Sequence, residues 1–177
     1  MSETLNADGD NRLQESLTSQ SRTPEELIDE LKALSYAPFP IDLEAIYKLY
    51  NIEIIYEAMD KEISGILEKR RSGWIVFVNQ WHHLHRQRFT LAHELAHFFL
   101  HRNIMQKFTD VSYFSRTNEK RSKMEIEADQ FAANLLMPKE IFIEQIESGN
   151  NSISNLSDIF KVSMLAVKFR AKNLGYI

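Results

Sequence analysis

The chain has 177 residues, 44% of them hydrophobic, a formal net charge of −4 and no cysteine. That length fits one compact domain with a real core. The acidic balance gives no general case for nucleic-acid binding, and the missing thiols exclude disulfides and thiolate metal sites. No apolar run approaches the roughly 20 residues of a membrane span, and residues 1–6 lack the basic and apolar regions of a signal peptide, so a cytoplasmic location without membrane contact is the default.

Residues 1–22 are rich in Ser, Asn, Asp, Gln and Glu, and read as a flexible leader that cannot bury enough surface to offset its ordering entropy. A helix begins at Thr23-Pro24-Glu25-Glu26: Thr23 caps, Pro24 suits the first helical position and Glu26 completes a capping box. Its apolar face is Leu27, Leu31 and Leu34, and it stops before Pro38. A short amphipathic helix over 41–50 follows. Residues 52–57, 63–69 and 74–79 read as strands, the latter two joined by a turn at Arg71-Ser72-Gly73. A small antiparallel sheet of about three strands therefore precedes the next helix.

That helix carries His93-Glu94-Leu95-Ala96-His97, an H-E-x-x-H sequence, and is expected near 85–101. Positions i and i+4 stand about 40° apart on an α-helix, so both imidazoles share a face and can hold one metal ion. Imidazole nitrogen suits zinc, which lowers the pKa of water towards neutrality, and Glu94 is placed to take the proton. The spacing is the zinc metallopeptidase signature. Leu91, Ala92, Leu95, Ala96, Phe98 and Phe99 around it imply a buried helix, where unpaired polar groups are costly. Two core histidines satisfied without metal are the bland alternative. All 6 histidines lie between positions 82 and 101. His82, His83 and His85 read as a solvated rim rather than a second metal site. His101 stands about 80° from His93 on an ideal helix and is expected to cap the C-terminus.

Residues 103–120 read as a loop walling the cleft; Tyr113 in it is a candidate transition-state donor, with packing or solvent exposure the more ordinary role. The helix over 123–137 ends at Pro138 and places Glu125 and Asp129 four positions apart on one side. Zinc on two histidines needs a third protein ligand, for which Glu125 is the first candidate and Glu127, nearer solvent, the runner-up. Asp129 can accept the other ring N–H of a ligating histidine. A helix over 139–148 and two short helices over 154–173 complete the chain.

Thr90-Leu91-Ala92-His93-Glu94-Leu95-Ala96-His97, followed by Glu125-Ile126-Glu127-Ala128-Asp129-Gln130-Phe131-Ala132-Ala133-Asn134-Leu135-Leu136-Met137-Pro138, resembles the ImmA/IrrE metallopeptidase family, which is gluzincin-like. The resemblance implies an α+β fold, with the sheet packed on a mainly helical zincin-like domain, here 23–150; residues 151–177 themselves look like a helix-turn-helix and are read as an extension packed on that domain. It implies Zn2+ on His93, His97 and Glu125, Glu94 as general base, and cleavage of a helix-turn-helix repressor of phage, mobile-element or stress genes. The 151–177 segment offers Lys168, Arg170 and Lys172, but is short and has no wing, so docking or packing is favoured over DNA binding. The other reading is a regulator that binds DNA or a repressor without proteolysis, its zinc structural or vestigial; Glu94 argues against it, because a structural site needs no base.

Overall fold

The computed structural model of the chain describes residues 21–37, 39–111 and 122–177. The expectations for most of the leader and for Tyr113 lie outside the described residues. The fold is α+β, with one sheet and helices against it.

Helix α1 (Pro24–Ala33) starts as its sequence dictates: the Glu26 amide donates to Thr23 Oγ1 at 3.2 Å and the Thr23 amide to Glu26 Oε2 at 2.8 Å. Leu27, Ile28 and Leu31 enter the core, whereas Leu34 follows the helix and turns outward. Asp42 caps α2 (Leu43–Leu49). From α2 the buried Tyr47 hydroxyl donates to the Leu91 carbonyl at 2.8 Å, tying α2 to the helix that carries the H-E-x-x-H residues.

Strands β1 (Ile52–Glu57), β2 (Ile63–Arg70) and β3 (Gly73–Asn79) fall where β-branched residues concentrate. β2 and β3 form an antiparallel hairpin in which Arg70 pairs with Gly73; Gly73 has φ +129°, a conformation side chains resist. The sheet is larger and less uniform than expected. β1 runs parallel to β3, and a fourth strand, β4 (Lys107–Val111), pairs antiparallel with β2 to give the order β1-β3-β2-β4. β4 lies inside the stretch read as loop. Its inward positions are Phe108 and Asp110, so a charge stands where alternation calls for an apolar residue.

Helix α3 (Leu84–Ala96) crosses β2 and β3 with Leu91, Ala92, Leu95 and Ala96 buried, and continues into a π-helical turn, His97–His101. Helix α4 (Lys123–Leu136), capped by Ser122, packs along α3 through Ala128, Phe131, Ala132 and Leu135. Helices α5 (Lys139–Glu147), α6 (Ile153–Phe160) and α7 (Met164–Asn173) follow, α6 and α7 being joined through Lys161 in the left-handed conformation. Phe142, Phe160 and Val167 join the common core. Among the described residues, no helix is long and apolar enough to cross a membrane.

Candidate metal centre

His93 and His97 lie on successive turns of one buried helix, and Glu125 reaches them from α4 near its Ser122 cap. The two Nε2 atoms are 3.1 Å apart; Glu125 Oε1 is 3.3 Å from His97 Nε2, and Glu125 Oε2 is 3.5 Å from His93 Nε2. Ligand atoms about 2.0–2.1 Å from a tetrahedral ion are about 3.3–3.4 Å from one another, so the three donors fit zinc. They form the one group of side chains among the described residues with ligand atoms close enough to share an ion. The histidines of the 82–85 rim instead engage backbone: His82 Nε2 faces the Lys61 carbonyl at 3.1 Å, and His83 Nδ1 accepts from the His85 amide at 3.2 Å.

The charges of the cluster favour a cation at its centre. Burial pulls the His93 pKa down, but hydrogen bonds to Asp129 and Glu125 overcome that and raise it to about 10. His97 is lowered, because burial outweighs its bond to Glu125. Burial resists ionisation of Glu125, yet its bonds to His93 and His97 hold it well below the usual carboxylate range. His93 Nδ1 lies 2.9 Å from Asp129 Oδ1. A carboxylate in this bond accepts, so Nδ1–H donates, and loss of the Nε2 proton that faces Glu125 leaves the Nε2 lone pair for a cation.

Glu94 is fully buried, and neither of its carboxylate oxygens has a hydrogen-bond partner. Burial pushes its pKa well up, with Asp110 and Glu125 adding to the rise and His93 opposing it. Native proteins seldom leave a buried carboxylate unsatisfied. Gly65 on β2 helps to make its space: a Cβ there would lie 2.4 Å from Thr90 Cγ2 and 3.5 Å from Glu94 Oε1. Gly65→Ala is therefore expected to push α3 away from the sheet and cost about 1–3 kcal/mol, read from the denaturation midpoint. Removing the struck methyl with Thr90→Ser in the same chain should recover part of the loss, since the Phe77 carbonyl, 3.0 Å from the added Cβ, stays in place. No recovery would place the strain elsewhere.

Several residues around the site carry no sequence pattern. Arg86 Nη2 donates to Ser64 Oγ at 2.6 Å and meets Asp110 Oδ2 at 3.4 Å; the Thr90 hydroxyl is also 3.4 Å from Asp110 Oδ2. Phe108 of β4 stacks on His97 with ring centroids 4.5 Å apart. His101 does not diverge to cap the helix end: it is 2% exposed and lies against His97. Glu127, the runner-up ligand, pairs with His101 and Lys123 instead of His93 or His97.

The family model for peptidase M78, described as the IrrE N-terminal-like domain, matches residues 48–172. The chain belongs to this family. It is 22% identical over 135 residues to the metallopeptidase ImmA of Bacillus subtilis (strain 168), a match covering 73% of this chain and 76% of that protein. Among solved structures it is similar to a Mycobacterium tuberculosis transcriptional regulator, with TM-score 0.53 and 17% identity over 73% of this chain. It spans 39% of that regulator, and the likeness is one of fold. Membership of the IrrE N-terminal-like family implies a metal, and the donor set formed by His93, His97 and Glu125 suits one.

Proposed function

We propose that the chain is a cytoplasmic zinc-dependent endopeptidase acting on a regulatory protein of the helix-turn-helix repressor type, and so relieving repression. The observation that carries this reading is the pairing of three donors at tetrahedral spacing with a buried, unpartnered carboxylate on the intervening helical position. A purely structural site has no use for Glu94.

In this reading His93, His97 and Glu125 hold zinc, and Asp129 fixes the His93 tautomer. Zinc bound there supplies Lewis acidity, making water more acidic and a peptide carbonyl more electrophilic. Glu94 takes a proton from water as the water oxygen bonds to the carbonyl carbon. It returns that proton to the amide nitrogen as the C–N bond breaks. With no other hydrogen bond to give up, and with a bound cation favouring its ionised form over the neutral acid that burial favours in the metal-free chain, its carboxylate would be available for both transfers.

The protein partner is supported by the family and by the regulator of similar fold. Residues 23–150 are taken as the catalytic unit, with α6 and α7 as an extension seated on it. Arg170 supports packing over DNA contact, since its Nε donates to the Met137 carbonyl at 2.9 Å and its Nη1 to Asn134 Oδ1 at 2.7 Å. Incubation of the zinc-loaded chain with a helix-turn-helix repressor encoded beside it should yield two fragments by mass spectrometry. An intact repressor, with DNA retardation by the chain alone, would instead favour the non-proteolytic regulator.

A further inference from the structure

His101 and Glu127 have no part in the reaction just described, yet they continue the metal cluster. His101 Nδ1 lies 3.0 Å from His97 Nδ1, and His101 Nε2 lies 3.2 Å from Glu127 Oε2. If His97 presents its Nε2 lone pair to a metal, its Nδ1 must carry the proton. That proton then points at His101 Nδ1, which must accept. His101 consequently carries its own proton on Nε2 and donates it to Glu127. The three side chains line up as His97 to His101 to Glu127, with every donor facing an acceptor. His93 reaches its carboxylate, Asp129, in a single bond.

The backbone explains how His101 gets there. On a continuous α-helix, each step of four residues overshoots a full circle by about 40°, and His101 would stand about 80° from His93. The segment from His97 to His101 is π-helical. A π turn, with i→i+5 bonding, is wider, so four residues fall short of a circle and the second step cancels the first. The His97 and His101 ring centroids are 5.1 Å apart, and Phe108 of β4 covers both. Such turns are uncommon and occur frequently at functional sites.

We propose that His101 is a positioning residue for the metal: backed by Glu127, it accepts the His97 Nδ1 proton and so fixes the tautomer and ring plane of that ligand. The π turn holds it in place. This rests on the zinc reading of His93, His97 and Glu125 given above.

The test compares zinc affinity, by competition with a chromophoric chelator, and the visible spectrum of the cobalt-loaded chain across variants. His101→Leu keeps bulk but removes the acceptor. His101→Asn restores an acceptor oxygen near the Nδ1 position and gives up the bond to Glu127. His101→Leu is expected to weaken zinc binding by about 10- to 100-fold and shift the cobalt bands. His101→Asn should recover most of the affinity, and Glu127→Ala should lose a smaller factor. Wild-type affinity in His101→Leu, or equal loss in the Leu and Asn variants, would reduce His101 to packing. Should His101→Leu not fold, as judged by the unfolding transition of the metal-free chain, Glu127→Ala decides, and zinc affinity equal to wild type overturns the relay. Failure of the underlying site looks different: zinc binding by the wild-type chain would then survive His93→Ala.

Discussion

Glu94→Gln should keep its zinc and cleave the repressor about 10²- to 10⁴-fold more slowly, the range expected when a positioned proton-transfer group is removed. The amide has nearly the same shape, so His93 and His97 on either side of it stay where the helix puts them. What is lost is the ability to accept a proton from water and return it to the leaving nitrogen. Metal content and cleavage rate, measured on one preparation, separate the two roles. Cleavage at the wild-type rate would sink the assignment, and loss of zinc with loss of rate would leave Glu94 as a structural support. The same substitution has a consequence for stability. Burial raises the Glu94 pKa, so in the metal-free chain the fold holds the proton while the unfolded chain releases it above about pH 4.3. The native state then binds more protons, and stability falls as pH rises. A glutamine has no such term. Metal-free Glu94→Gln should thus match wild type at low pH and become relatively more stable towards neutrality.

The parts of this site that could be read from sequence are those governed by one regular helix. The four-residue spacings of His93 with His97 and of Glu125 with Asp129 each fix a face, and the structure brings those faces together. Where regularity fails, the sequence misleads. An α-helical period swings His101 away from His93, but that period stops at His97, where the backbone widens into a π turn. β4 was hidden because its inward Asp110 breaks the apolar alternation; the charge is tolerated there because Arg86 and Thr90 approach it. That network joins residues on α3, β2 and β4, and nothing local in the chain announces it. The parallel pairing of β1 with β3 is a choice of sheet order, which strand composition does not encode. The cap of α1, by contrast, is local chemistry throughout and reads correctly down to its hydrogen bonds.

Zinc added to the metal-free chain should raise its melting temperature by about 10 °C when free zinc stands roughly a thousandfold above Kd. That ratio corresponds to about 4 kcal/mol of linkage stabilisation, and each kcal/mol moves a domain of this size by about 2–4 °C. The effect is large because the donors come from α3, the π turn and α4, so the unfolded chain offers no preformed site. Glu125→Ala should abolish most of the shift, since the remaining histidine pair has no carboxylate to complete the set. The dependence on pH has a definite sign. In the metal-free chain the His93 pKa lies at about 10, so through neutral pH zinc must displace a proton from it. Affinity should therefore rise with pH, by about tenfold per unit between pH 6 and 8 for one displaced proton. Glu125 stays ionised across this range, because its pKa is lowered, and contributes no slope. The metal-free fold behaves in the opposite way. A histidine whose folded pKa is raised contributes stability that is complete below its unfolded value of about 6.5 and fades as pH rises through the folded one. The zinc-induced shift in melting temperature should thus grow from pH 6 to pH 8, as one curve climbs while the other declines. A shift that shrinks over that window, or that persists in Glu125→Ala, would mean that zinc stabilises the chain from somewhere other than these three side chains.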